Sequence, residues 1–390
     1  MKILHAFLFF SVKQAGGTVD VIYNLARAQA ERGHNVTIYT GDFRFDASYA
    51  SSLLGVAVEV FRSRLNRGFY IMPGLVGHAR NTVRGFDVIH LHCYRSFQNV
   101  VLHHFAVRYG VPYVMDAHGS LRRFTRKWTI KAVFDRVIGR RILRDAARCI
   151  SETELGRQEY LVAGVEPNRV AVIPLPLPVD DFRQLPPRGR FRRRFGVGEQ
   201  RVVMFLGRVH WIKGIDFLVR AFAELAERRE DVLLAVVGPD DKYRASLDKL
   251  IRDLGLTGKV LFTGYLGGGD KLEALVDADV VVQTSRYESG ARPPFEAVLC
   301  GTPIVVSDNS GAGADVRKAD AGYLATFGDV SDLREKVAYV LDHPEEARQR
   351  ARKGKKYIER HLAIGTQAQE YERLYEQCIA ERKSRALEER

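Results

Sequence analysis

Ile3-Leu4-His5-Ala6-Phe7-Leu8-Phe9-Phe10, an apolar run broken only by His5, leads through Gly16-Gly17 into Val19, Ile22, Ala26 and Ala30, and past Gly33 into Val36-Thr37-Ile38-Tyr39-Thr40. A continuous apolar run reads as a strand buried on both faces, and recurrence every three to four residues reads as a helix. The unit is therefore β-loop-α-β, with the right-handed crossover that a twisted strand and a right-handed helix impose. The glycine pair falls where strand gives way to helix. Open α/β sheets hold ligands at that edge, and a helix start offers an anion unpaired N–H groups and a positive dipole end. The three-glycine dinucleotide pattern is absent, so a nicotinamide or flavin dinucleotide is not implied. A plain tight turn accounts for the pair equally well.

Working outward, further strands are expected at Val56–Phe61, Val88–Leu91, Tyr113–Ala117, Arg148–Ser151 and Val170–Ile173, spaced widely enough for intervening helices. Pro174, Pro176, Pro178, Pro186 and Pro187 then crowd into fourteen residues, and proline continues neither helix nor central strand, so a stiff linker is expected here. The pattern restarts with strands at Val202–Leu206, Val232–Val237, Val260–Phe262, Val280–Gln283 and Ile304–Ser307. Helices are expected at Phe217–Glu227, Leu247–Leu254, Leu272–Val276 and Phe295–Leu299, and polar helices from about Val330 onward. The expectation is an α/β protein with two consecutive doubly wound domains, 1–182 and 183–365, and a terminal segment, 366–390.

At 390 residues the chain exceeds what one hydrophobic core usually serves. Its 46% hydrophobic and 27% charged composition excludes a disordered or collagen-like protein. The net charge of +13 is uneven: residues 1–180 carry 24 Lys+Arg against 14 Asp+Glu. Such an excess attracts polyanions, whether nucleic acid, an anionic membrane or phosphorylated small molecules. Four scattered cysteines without metal-ligand spacing argue for a reducing compartment and against zinc or disulfides. The opening apolar run is too short to span a bilayer, so a cytoplasmic chain is expected.

Two later stretches carry chemistry. Val202–Leu206 runs into Gly207-Arg208-Val209-His210-Trp211-Ile212-Lys213-Gly214, which sets two cations five residues apart at a sheet's ligand edge. They suit a pyrophosphate, and equally an ordinary solvated surface. Ser285-Arg286-Tyr287-Glu288-Ser289-Gly290-Ala291-Arg292-Pro293-Pro294-Phe295-Glu296 places two carboxylates eight apart around a turn, with proline suited to a first helical turn. Backbone N–H groups of Gly290–Arg292 would face a phosphate, and Glu288 and Glu296 could accept from sugar hydroxyls. His118 follows a strand beside Asp116 and suits a structural hydrogen bond as well as a ligand contact; His5, His90, His92, His103 and His104 are assigned no role.

Taken in order, these pieces resemble the retaining, GT-B-fold glycosyltransferases of family 4. The resemblance rests on the glycine pair before Asn24-Leu25-Ala26, Gly33-His34-Asn35-Val36, Asp116-Ala117-His118-Gly119, Gly207-Arg208 with Lys213-Gly214, and Glu288/Glu296 running into Cys300-Gly301-Thr302-Pro303. It spans nearly the whole chain and implies two Rossmann-like domains facing each other across a cleft, with the terminal helix crossing back to the first. It further implies that Arg208 and Lys213 bind the diphosphate of a UDP- or GDP-sugar, that Glu296 holds the ribose, and that Glu288 holds the transferred sugar. His118 would reach sugar or acceptor, Gly290, Ala291 and Arg292 would line the sugar and phosphate, and Gly16 and Gly17 would approach the donor phosphate or acceptor. The base would lie near Tyr265 and Leu266. Two departures stand out. Ser289-Gly290-Ala291-Arg292 replaces the usual Phe-Gly and aliphatic residue, implying an altered sugar pocket with an extra positive charge, and Pro176-Leu177 replaces the usual Asn-Gly of the linker.

No metal cofactor is expected, because cations and helix starts take the load that a divalent ion bears elsewhere. Asp277-Ala278-Asp279 is read as a helix-cap and strand-entry feature rather than a metal motif. Arg122–Arg148 holds ten Lys+Arg with interleaved apolar residues from Trp128 to Leu143. It reads either as a helix packed on the sheet with a solvated basic face, or as a surface for anionic lipid, which would bring a lipid-linked or glycan acceptor to the site. The alternatives are a nucleotide-sugar epimerase or phosphorylase on the same fold, distinguished by isomerised donor or by phosphate as acceptor. A nonspecific nucleic-acid-binding protein remains from another class, without any specific recognition signature.

Overall fold

Strands buried at every position need helices on both faces, and the chain supplies such strands twice. Val88–His92, Val232–Val237 and Val280–Gln283 are each buried throughout. The computed structural model of the protein describes residues 1–11, 17–64, 70–122 and 128–388. Contacts divide the chain into two units, Met1–Pro176 with Ile364–Arg390, and Leu177–Ala363. The division falls six residues before the expected boundary.

The first unit is a parallel sheet of β1 (Lys2–Ala6), β2 (Asn35–Gly41), β3 (Val56–Phe61), β4 (Val88–His92), β5 (Tyr113–Asp116), β6 (Arg148–Ser151) and β7 (Val170–Val172). Its order is β3-β2-β1-β4-β5-β6-β7. The chain order reverses between β1 and β4, which makes the carboxyl ends of those strands the place where a ligand crevice opens. The first strand is shorter than its apolar run: Phe7 makes a last backbone hydrogen bond to Tyr39 at 3.0 Å, and Phe10 beyond it is buried in the same core as Ile22 and Leu25. Apolarity reports burial, and here burial continues beyond the hydrogen-bonded strand. The terminal helix Ile364–Glu388 seats Tyr371, Tyr375 and Cys378 in the same core.

The second unit is a parallel sheet of β8 (Arg201–Leu206), β9 (Val232–Val237), β10 (Val260–Gly264), β11 (Val280–Gln283), β12 (Ile304–Ser307) and β13 (Tyr323–Ala325), in the order β10-β9-β8-β11-β12-β13. Its reversal lies between β8 and β11. The helix Gly311–Ala319 and β13 escaped the sequence reading. A Cβ on Gly313 would stand 2.7 Å from the Ser307 carbonyl oxygen, so this helix is glycine-rich because it lies against the strand before it, and in sequence it reads as loop. Within this unit Leu177 donates its N–H to the Leu362 carbonyl at 2.8 Å, which anchors the replaced linker turn.

Candidate functional site

In the second unit the turns that leave β8 and β11 sit side by side at the reversal. After β8 comes Gly207-Arg208, then the single turn Trp211–Lys213, then Gly214 at φ +63° starting the helix Ile215–Ala226. A Cβ on Gly214 would lie 1.9 Å from the Thr284 carbonyl oxygen, so only glycine lets the two turns close. That closure brings Lys213 Nζ onto Glu288 Oε2 as an ion pair, and Ser285 Oγ donates to the same carboxylate oxygen at 3.1 Å. Arg286 backs the turn with a bidentate pair to Asp216 and a hydrogen bond to the Trp211 carbonyl. Arg208 pairs with Asp241 at 2.6 Å, with both side chains about half exposed. Such a surface pair is weak and leaves the guanidinium available to an anion.

Glu296 is placed differently from what the sequence suggested. It is buried, and both carboxylate oxygens face cations, Lys271 Nζ at 3.0 Å and Arg292 at 3.3 Å. Burial pushes its carboxyl up, but Lys271 and Arg292 more than offset this and hold it below the usual range. Arg292 is itself buried, so the extra positive charge expected of the sugar pocket is turned onto Glu296. Lys271 was missed because it stands 25 positions before its partner, on the helix Gly268–Asp277. Just before that helix, Leu266 is buried and Tyr265 is exposed. Asp277 accepts from the Gly189 and Arg192 backbone N–H groups and Asp279 from the Val202 N–H and Arg192. Both act as cap and strand-entry groups. A surface cavity lined by Arg188, Arg201, Asp279 and Arg348 opens at the opposite, amino-terminal edge of this sheet and contributes nothing to the site.

In the first unit His118 is bonded through both ring nitrogens. Nδ1 lies 2.7 Å from Glu152 Oε1 and 3.4 Å from Asp116, while Nε2 lies 2.9 Å from His92 Nδ1. Burial disfavours the imidazolium, yet Asp116 and Glu152 outweigh it and raise His118 to about 9. Burial, opposed by His118 and aided by Glu152, lifts the Asp116 carboxyl to about 7. His118 sits at φ +47° and Cys93 at φ +59°, a left-handed backbone that costs a side-chain-bearing residue about 1–2 kcal/mol and persists where surroundings enforce it, often at functional positions. His5 and His92, assigned nothing from sequence, are drawn into this cluster. Gly17 begins the helix Gly17–Glu31; Gly16 lies outside the described residues.

Among the described residues two triads bring donor atoms within 4.8 Å of one another, His5/His90/His92 and Asp116/His118/Glu152. The His90 and His92 rings stack at 3.9 Å, so their in-plane lone pairs do not converge on one ion. The second triad is an ion-paired imidazole with both nitrogens engaged. Each reads as a hydrogen-bonded network.

The basic stretch forms helices Trp128–Phe134 and Arg140–Asp145 joined by one wider turn. Ile142 and Leu143 pack into the core. Ile130, Val133 and Val137 do not: they are 67%, 62% and 63% exposed, on the same face as Arg136 and Arg140. Arg122 pairs with Glu159, and Arg148 with Glu381. Residues 123–127 lie outside the described residues. No helix among the described residues is long and apolar enough to cross a membrane.

Two Rossmann-like parallel sheets, one ending in paired cations and carboxylates at its reversal, define the class of the GT-B sugar-transferring enzymes. Residues 188–357 match the family described as glycosyl transferases group 1, and residues 15–181 match glycosyltransferase family 4. A D-inositol 3-phosphate glycosyltransferase of Actinosynnema mirum is 30% identical over 361 residues, 85% of each chain. A 2-deoxystreptamine glucosyltransferase of Streptomyces kanamyceticus is 28% identical over 68% of this chain and 71% of its own. Anabaena HepE, crystallised with UDP and glucose, superposes with a TM-score of 0.79 over 96% of this chain and 98% of its own, at 22% identity. The chain belongs to the family 4, group 1 glycosyltransferases, and it is an enzyme that transfers sugar.

Proposed function

We propose that the protein transfers a hexose-type sugar from a nucleotide diphosphate donor with retention of anomeric configuration and without a metal. The observation that carries this is the ion pair of Lys213 with Glu288 at the reversal of the second sheet, with the half-exposed Arg208 on the same turn after β8 as Lys213. As the bond from the sugar's anomeric carbon to the diphosphate breaks, negative charge grows on the leaving oxygen, and preorganised cations stabilise it. Lys213 and Arg208 take that role, Glu288 both orients Lys213 and accepts from sugar hydroxyls, and Gly290, Ala291 and Arg292 supply backbone N–H groups. Glu296 lies behind Arg292 and receives the ribose, while Tyr265-Leu266 receives the base. His118, Gly16 and Gly17 serve the sugar or acceptor. HepE, with UDP and glucose bound, lends a uridine donor support.

A thermal-shift screen over UDP, GDP, ADP and their sugars, run in EDTA, tests this reading. Ligand at a hundred times its Kd adds about 2.7 kcal/mol, which for a unit of this size is roughly a 5–10 °C rise in melting temperature. A rise that needs manganese overturns the metal-free reading, and no rise with any nucleotide removes the donor site.

The acceptor is a glycan or a lipid-linked sugar met at the inner face of the membrane. Relatives named for D-inositol 3-phosphate and 2-deoxystreptamine add small hydroxyl-rich rings to the candidates. Exposed Ile130, Val133 and Val137 beside Arg136 and Arg140 favour the membrane, because aliphatic insertion with flanking cations suits anionic headgroups. Flotation is expected with anionic vesicles and not neutral ones, and Val133→Asp with Val137→Asp should abolish it. Equal binding to both vesicles, or none, rejects the surface.

A further inference from the structure

Behind His118 runs a single file of side-chain hydrogen bonds. His118 Nε2 meets His92 Nδ1 at 2.9 Å, His92 Nε2 meets His5 Nδ1 at 2.9 Å, and His5 Nε2 meets the Gln29 amide oxygen at 2.8 Å. His5, His92 and Gln29 are 0–1% exposed. A neutral imidazole has one donor and one acceptor nitrogen, so each ring fixes the tautomer of the next. With the Gln29 oxygen accepting, His5 and His92 must both carry their proton on Nε2, and His118 must donate from Nε2 into His92. At the other end His118 Nδ1 faces the Glu152 carboxylate, which needs a donor as well. Both His118 nitrogens then carry protons, and the ring is an imidazolium.

Were the far end of the file to donate instead, every proton would shift to the opposite nitrogen. His92 would donate to His118 Nε2, and His118 would be neutral. The two arrangements differ by one proton at His118, and the group at the far end selects between them. An amide oxygen accepts a hydrogen bond but does not take up a proton under working conditions, so the file is a dead end that orients protons instead of conducting them.

We propose that Gln29, His5 and His92 form a positioning relay that holds His118 as a cation, so that His118 presents a fixed positive charge and not a base. The other groups facing the file agree with it. From β4, His90 stacks on His92 and shares a hydrogen bond between its Nδ1 and the Tyr375 hydroxyl of the terminal helix, at 2.7 Å. Tyr371 of that helix lies against His90, and Cys93, Asp116 and Glu152 complete the surroundings. Burial holds His5 down to about 4 and keeps His90 and His92 well below their usual range, so the rings behind His118 are neutral and the extra proton stays on His118. Asp116 and Glu152 are the only carboxylates bonded to it among the described residues.

The relay is tested on the full-length protein by nitrogen-15 NMR of labelled histidines. In the unaltered chain, His5 and His92 should appear as Nε2–H tautomers and His118 should titrate well above 6.5. Nδ1–H tautomers at His5 and His92 overturn the proposal without any variant. Gln29→Met removes the acceptor and frees the file to reverse, so His118, three hydrogen bonds away, should lose at least one pH unit, or tenfold, of proton affinity. Gln29→Glu restores an acceptor and should restore the titration. A role in packing alone would leave His118's titration unchanged in Gln29→Met, and that result rejects the relay. Its bearing on catalysis rests on placing His118 at the sugar or acceptor. If Gln29→Met moves the NMR titration while the alkaline limb of the pH–rate profile stays fixed, that placement fails and the relay stands; if both move together, both hold.

Discussion

Lys213→Ala is expected to lower turnover by about 10²–10³, the loss that follows removal of one preorganised group stabilising charge in a transition state. The size follows from how firmly Lys213 is held. Gly214 forces the turn against Thr284, Glu288 accepts from Nζ, and both side chains are largely buried, at 17% and 16% exposure. A cation fixed in a dehydrated turn need not reorganise when the diphosphate departs, and its field is screened far less than in bulk water. Arg208→Ala is expected to fall in the same range by the same chemistry, with stronger salt dependence, because Arg208 stands in solvent. The measurement is steady-state kinetics with the donor that the thermal-shift screen selects. Lys213→Ala also strands Glu288, so Lys213→Ala/Glu288→Gln should regain stability without regaining turnover. Wild-type turnover in either single variant removes that residue from the reaction.

The sheets were legible because strands buried on both faces are mostly apolar, as Val232–Val237 is throughout and Val280–Val282 is before the buried Gln283. Strand limits were less so: Phe7 and Phe10 are as buried as the strand they follow, and composition does not separate ladder from core. The helix after Ser310 was hidden because close packing requires glycine at 313, and glycine reads as loop. In the site, Arg208, Lys213, Glu288 and Glu296 could be picked out by their order along the chain. Their partners could not. A parallel sheet gathers strand ends from distant sequence, so Asp241 meets Arg208 and Lys271 meets Glu296 with no local sign. His5 and His92 look like flaws in apolar strands until the sheet places β1 beside β4 and aligns their rings.

Glu296→Leu is expected to destabilise the second unit by about 3–5 kcal/mol, because it breaks a buried ion pair by removing the carboxylate that faces Arg292 and Lys271. Arg292 is the more strongly affected cation: its side chain is 6% exposed, whereas Lys271 is 23% exposed and can turn part of its ammonium toward water. Removing Arg292 as well should therefore recover much of the loss, and Arg292→Leu/Glu296→Leu should be markedly more stable than the sum of the single changes. Trp211 lies in the second unit and the only other tryptophan, Trp128, in the first, so urea unfolding followed by fluorescence in a Trp128→Phe background reports the second unit alone. Nucleotide affinity, measured on the same variants while folded, separates the two roles open to Glu296. A carboxylate that reads the ribose loses affinity in both Leu variants, even where stability returns. A carboxylate that only neutralises Arg292 and Lys271 regains affinity with stability in the double variant, and the ribose assignment would then pass to another group.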